Sequence, residues 1–349
     1  MRKASLKSSL NSLPVLLTCA TLAIGLTGCE SDKHGFSESR PFSFDAPNLK
    51  SNPVTPPAKP NEAESWANMA FDYQAKQEWP QAIYCYSKAC EIDPTKKGYW
   101  NSLGTVYQFS DKMESARNAF LRSHELDVYE MGNLESIGFA DTRMGLHDDE
   151  ALRFYLMALA IEPTHKAAWD NLVGVLHRLD KDEFIARVQT LASSPTEPNA
   201  AFVADSINEY FLREKPDDYD LLVNKGLFHT RMLNVPMALA AFDKANGLKP
   251  ESPRVLIGYG LLYDAMGDSK KADEYFARCT KSSPSQAMAW AMRGFIADKN
   301  HNYKQALNYF VVASALSPEK AQWSAKIGEL DKIVKADEAK AKGEVKPAP

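Results

Sequence analysis

The sequence predicts an all-α solenoid of helix-turn-helix repeats, and three observations predict it. Residues recur at a spacing of 34: Gly226, Gly260 and Gly294; Ala238, Ala272 and Ala306; Phe242, Phe276 and Phe310; Pro250, Pro284 and Pro318. In the first half the same spacing links Trp66 to Trp100, Tyr73 to Tyr107, Ala82 to Ala116, and Tyr86 to Phe120. The residue types are those a close helix pair needs. Small residues stand where two helices touch, aromatics fill the gap to the next pair, and proline ends the second helix. One such unit leaves an apolar face uncovered, so units must stack.

In chain order, the first element is a cationic start (Arg2, Lys3, Lys7), a mostly apolar run from Leu13 to Leu26, and then Thr27-Gly28-Cys29. These are the parts of a signal peptide over 1–28, too short for a membrane span, which takes roughly 20 apolar residues. Ordinary cleavage favours small residues before the cut, and Leu26 is not small. Leu26-Thr27-Gly28-Cys29 resembles the lipobox of bacterial lipoproteins. The resemblance implies cleavage before Cys29, a diacylglyceryl group on its thiol and acylation of the new amino group, hence a membrane anchor. Residues 29–62 then carry the lipidated cysteine and a linker. Its stretch 31–61 holds six prolines and no hydrophobic periodicity, which predicts a disordered tether. About 30 such residues span roughly 30 Å root-mean-square.

Repeats follow at 63–96, 97–130 and 131–165, and again at 219–252, 253–286 and 287–320. Between the halves, 166–218 begins like a repeat at Trp169 and Leu172, but Gly174 falls off-register. Prolines at 195, 198 and 216 bracket a further helix, so this region reads as a degenerate repeat plus an extra helix at which the solenoid is free to bend. Residues 321–336 read as a polar helix that caps the last apolar face, and 337–349 as a disordered tail.

The pattern resembles the tetratricopeptide repeat. The second unit carries it as Trp100, Leu103, Gly104, Tyr107, Ala116 and Phe120, with Val128 in place of the closing proline. The first has Trp66, Met69, Ala70, Tyr73, Ala82, Tyr86, Ala89 and Pro94. The third, with Gly138, Ala151, Tyr155, Ala158 and Pro163, takes one extra residue in its inter-helix turn.

Chemistry is sparse. A net charge of −4, which becomes −7 without residues 1–28, and no Lys/Arg block leave no footprint for nucleic acid. No nucleophile elbow, phosphate-cradling loop or HExxH helix occurs, and the seven histidines lack metal-ligand spacing. Cys85, Cys90 and Cys279 form no CxxC pair and read as small buried apolar residues. No catalytic residue, metal or cofactor is expected, and the protein is read as a non-enzyme.

The resemblance implies a concave groove lined by the first helix of each unit, at unit positions 2, 5, 6, 9, 12 and 13. Position 9 is Phe71, Thr105, Phe139, Leu227, Leu261 and Phe295. Position 5 is Ala67, Asn101, Glu135, Val223, Ile257 and Ala291; the first half adds polar groups at Ser102, Gln108 and Arg143, whereas the second half adds Met292 and remains largely apolar. The family's carboxylate clamp needs lysine where Ala67 stands, so that variant is not expected. Candidate groove residues are therefore Phe71, Asn101, Thr105, Gln108, Phe139, Arg143, Asn224, Leu227, Leu261 and Phe295. They suit an extended or helical peptide with main-chain hydrogen bonds from Asn101 or Asn224; the opposing reading is that they only pack helices together. The expectation is a lipid-anchored scaffold of the bacterial envelope, similar to tetratricopeptide lipoproteins that act as pilotins or as adaptors for proteases and cell-wall hydrolases. Its partner would be a protein or peptide. Glu30, not aspartate, follows Cys29, which favours the outer membrane, facing the periplasm. The alternative is a carbohydrate-export or cell-wall-binding module; the groove positions hold phenylalanine and no tryptophan, which favours peptide.

Overall fold

The computed structural model describes Phe44, Asp45, Pro47, Leu49 and residues 53–341, except Leu146 and 193–195. The signal segment, Cys29 and the end of the tail lie outside the described residues. Within them sixteen helices follow one another with no strand. A first arm of three helix pairs holds α1 (Ala63–Ala75) with α2 (Trp79–Ile92), α3 (Lys97–Phe109) with α4 (Met113–Leu126), and α5 (Met131–Met144) with α6 (Asp148–Ile161). Then come α7 (Lys166–Arg178), α8 (Asp182–Ala192) and the long α9 (Glu197–Glu214). A second arm holds α10 (Tyr219–Arg231) with α11 (Val235–Leu248), α12 (Pro253–Ala265) with α13 (Ser269–Ser282), and α14 (Ala287–Lys299) with α15 (Tyr303–Leu316). The last helix, α16, runs Ala321–Ala341, so residues 337–341, expected in a disordered tail, continue the helix.

Local signals explain where the helices start and turn. Asp218 accepts from the backbone N–H groups of Asp220 and Leu221, Ser252 from Val255, and Asp268 from Lys271, each satisfying donors the helix cannot. Between the two helices of a unit the chain passes through one left-handed residue. It is Gln77, Asp111, Gly145, Asp180, Leu233, Gly267 or His301, with φ between 54° and 80°. Asp180 stands as far into its unit as the others do, so the degenerate repeat turns at the same place. Leu233 is strained there, since its Cβ crowds the following carbonyl, and its side chain is exposed. Leu233→Gly is expected to raise stability by about 0.5–1 kcal/mol in urea unfolding.

Within a unit the glycine of the first helix receives the aromatic ring of the second. A Cβ at Gly104 would come within 2.8 Å of the Phe120 ring, and one at Gly260 within 2.5 Å of Phe276. Between units the proline does more than end a helix. Trp66, Trp100, Trp169 and Trp290 each donate their indole N–H to the carbonyl of the proline six residues earlier, at 2.7–2.9 Å. At Trp100, Trp169 and Trp290 that tie locks the corner between consecutive units, at Trp66 it fixes the segment entering the first unit, and in each it closes the indole's only polar requirement.

The two arms are not a continuous rod. At α7–α9 the chain doubles back, and the second arm lies against the first in reversed order. Arg153 pairs with Asp218 at 3.1 Å, and Arg231 donates to the Ala160 and Ile161 carbonyls. Tyr129 Oη donates to the Arg254 carbonyl at 3.2 Å, and Gln286 Nε2 to the Leu126 carbonyl at 3.1 Å. Farthest from the bend, Lys97 Nζ reaches Asp127 at 2.9 Å, Ser317 at 2.6 Å and Glu319 at 3.0 Å. Helix α6 lies at the seam, packed against α5, α7, α9 and α10. It is buried nearly all round from Ala151 to Ala160, with Arg153 only partly exposed. At the far end Trp323 and Leu330 of α16 close a cluster with Ala306, Phe310 and Ala313.

Candidate functional site

The first helices of the first arm present an open face. Phe71 is 63% exposed and Phe109 62%, whereas the other aromatics of α1 and α3 are buried or half-buried. Phe109 lies four residues after Thr105, so both point to one side of α3. Trp79, at the start of α2, stacks on Phe109 with ring centroids 5.5 Å apart and planes at 12°. Phe109 and Trp79 were not among the expected residues. Phe109 holds position 13 of its unit, a position the repeat pattern marks as groove-lining, so it was legible; Trp79 comes from a second helix and was not. Phe139 and Gln108 are half-buried on the same series of helices. Arg143 reaches Asp111 of the preceding unit at 3.4 Å, a solvent-exposed pair of little energetic weight.

The polar members of this face are partly committed. Asn101 Nδ2 donates to Asn133 Oδ1 at 2.9 Å, and Asn133 Nδ2 donates to Ser123 Oγ at 2.9 Å, a ladder that ties two units together. Thr105 Oγ1 donates to the Asn101 carbonyl at 3.0 Å, leaving its oxygen as an acceptor. Glu135 faces His165 at 2.5 Å.

The second arm differs, and here the expected groove must be corrected. Val223, Ile257 and Ala291 are fully buried, as is Asn224, and Leu227 is nearly so. The corner 124–130 of the first arm sits against the starts of α12 and α14 through Tyr129 and Gln286, which closes this side. Asn224 offers no main-chain hydrogen bond to a peptide because it is fully buried, with its Oδ1 accepting from Arg254 Nη2 at 2.9 Å. Arg254 Nη1 pairs with Asp220 at 2.5 Å, both side chains below 10% exposed. Leu261 stays half-buried; Phe295 is exposed but leans edge-on against Phe310 with centroids 4.9 Å apart. The candidate residues thus divide between an open first-arm face and a largely closed second-arm one.

His124 is buried at this interface, near Arg254 and Asp220. Burial, aided by the Arg254 charge, pushes its pKa down to about 3. The folded state therefore keeps His124 neutral while the unfolded chain protonates below about 6.5. Its contribution is intact above pH 6.5 and is lost as pH falls toward 3. Asp141 and Asp205, pushed up to about 6 by burial, act with the opposite sign between 6 and 3.8. Comparing the chain with His124→Leu isolates the histidine. The gap in unfolding free energy is expected to move by about 2 kcal/mol in favour of the variant between pH 6.5 and 5, read from urea titrations.

Cys85, Cys90 and Cys279 are free and buried, and burial pushes the Cys85 and Cys279 thiols up to about 12. Among the described residues no group of three His, Cys, Asp or Glu is placed to hold a metal ion, and no helix is long and apolar enough to cross a membrane.

Residues 72–108 match the family described as TPR repeat, and 253–286 match the one described as tetratricopeptide repeat. At these two stretches the chain carries tetratricopeptide repeats. These matches fall on the α1–α3 region and on α12–α13, one in each arm. Over 146 residues the chain is 23% identical to anaphase-promoting complex subunit 3 of Schizosaccharomyces pombe, covering 42% of this chain and 21% of that protein. It is 28% identical over 126 residues to Protein NPG1 of Arabidopsis thaliana, covering 35% of this chain and 18% of that protein. The matched segment spans about a fifth of each of these relatives. Among solved structures, a tetratricopeptide repeat protein from Parabacteroides merdae aligns with 77% of this chain and 98% of its own, at 16% identity and a TM-score of 0.40.

Proposed function

We propose that this tetratricopeptide-repeat chain is a lipid-anchored scaffold of the bacterial envelope that holds a protein partner on the inner face of its first arm, without catalysing a reaction. The observation that carries the binding reading is the pair Phe71 and Phe109, each more than 60% exposed on the first helices of units whose other large rings are packed. Two such rings on one face fit the apolar anchors of an amphipathic helix or an extended segment, with Thr105 and Gln108 beside them as polar contacts. The second arm supports that face and does not extend it. The anchor rests on the lipobox-like Leu26-Thr27-Gly28-Cys29, and the outer-membrane placement on Glu30.

Crosslinking in intact cells followed by mass spectrometry tests the binding reading. The Phe71→Ala/Phe109→Ala chain is expected to keep its helical circular dichroism and lose its partner crosslinks; an unchanged crosslink pattern would overturn the assignment. Labelled palmitate is expected to enter the chain and to be absent from Cys29→Ala, and equal labelling of both would remove the anchor from the proposal.

A further inference from the structure

Phe44 and Asp45 fall inside the stretch expected to be a disordered tether, yet they lie against the second repeat. The Phe44 ring stacks on Trp100 with centroids 5.8 Å apart and planes 9° from parallel. The Asp45 backbone N–H donates to Tyr107 Oη at 3.2 Å. The Asp45 carboxylate pairs with Lys112 Nζ at 2.6 Å. Trp100 and Tyr107 are seven residues apart, which is almost two full turns, so they share one face of α3. Thr105 and Phe109 stand roughly 150° around the same helix at about 100° per residue, so this is a different surface from the inner face.

The arrangement has the elements of a reader. Trp100 is a flat shelf for an aromatic ring, Tyr107 an oxygen that accepts a main-chain N–H, and Lys112 a cation for a carboxylate. Ring, N–H and carboxylate are supplied by two consecutive residues, so the surface selects an aromatic residue followed directly by an acidic one in extended chain. The occupant is held lightly. Lys112 and Asp45 are 37% and 47% exposed, and an ion pair of that exposure contributes little. Its presence owes most to tethering, which gives a nearby segment an effective concentration in the millimolar range.

We propose that this surface is a second peptide-binding site, specific for an extended segment with an aromatic-acidic pair, and that the chain's own Phe44-Asp45 occupies it until such a segment displaces it. This site is separate from the inner face that holds the partner. A self-ligand that fills the site nine-tenths of the time or more lowers the apparent affinity of a competitor at least tenfold, and removing it restores that factor.

The test uses a fluorescent peptide of residues 40–49, RPFSFDAPNL, and the full chain, read by anisotropy. The Phe44→Ala/Asp45→Ala chain is expected to bind the peptide at least tenfold more tightly than the unaltered chain. Adding Lys112→Glu to that background should weaken binding at least tenfold, and adding Phe71→Ala should leave it unchanged, which separates this site from the inner face. Equal affinity of the unaltered and double-variant chains, or binding indifferent to Lys112→Glu, would overturn the proposal. So would light scattering that finds a dimer lost in the Phe44→Ala/Asp45→Ala chain, since the segment would then belong to a second copy.

Discussion

Met157→Glu is expected to cost at least about 4 kcal/mol, a large share of the 5–15 kcal/mol that holds a typical domain together. Met157 is 1% exposed in α6, the helix enclosed by α5, α7, α9 and α10. The nearest cation on that face, Arg153 one turn earlier, is already paired with Asp218, so a carboxylate there must break that pair, stay protonated or drag water into the seam. The drop should appear as a lower urea midpoint, with an expanded radius by small-angle scattering if the arms part before the helices melt. The control is Arg122→Met at the matching place in α4, whose side chain is 24% exposed; it should change stability by less than about 1 kcal/mol. Similar losses in both would mean that α6 is no more deeply buried than an ordinary second helix.

Arg254→Ala is expected to cost about 3–5 kcal/mol, because it strands the Asp220 carboxylate in a place closed to water. Asn224 loses the same partner, and its Nδ2 has no hydrogen bond to compensate. Hydrogen exchange should quicken at the starts of α10 and α12 and at the corner 124–130 that lies against them. Replacing both charges, as Asp220→Leu with Arg254→Met, should recover most of the loss, since apolar groups of similar volume need no desolvation offset. A double variant no better than Arg254→Ala alone would show that the arginine acts through packing and not through its charge.

Residues inside one unit made the helices legible. Gly104 needs Phe120 and Gly260 needs Phe276, and each partner lies sixteen residues away at a spacing that recurs along the chain. Pairs that close can be read because their geometry repeats. The same sequence also held a signal about α6. Where α2, α4 and α13 carry Lys88 and Glu91, Arg122 and Glu125, or Arg278 and Lys281, α6 carries Met157 and Ala160. Helix α15 carries Val312 and Ala315 at the same positions and leaves both exposed, so the pattern permits a covered outer side without deciding which helix has one. That the second arm covers α6 was not legible.

The candidate site divides along the same line. Phe71, Thr105 and Phe139 could be placed on one face by their unit positions alone, and Phe109 belonged with them. Asn224 and Leu227 hold the analogous stripe in the second arm, yet they are buried. The contacts that separate the two cases join Lys97 to Ser317, Tyr129 to Arg254 and Gln286 to Leu126, across separations of 220, 125 and 160 residues.

By itself the amino-acid sequence determined the period, the helix pairs, the corners at the prolines and the face each first helix offers, because those depend on neighbours within one unit. Only the tertiary structure decided that one arm's face stays open while the other's closes, and that Phe44 finds Trp100. Small rotations between successive units, summed through α7–α9, set where distant corners meet, and no local pattern records that sum.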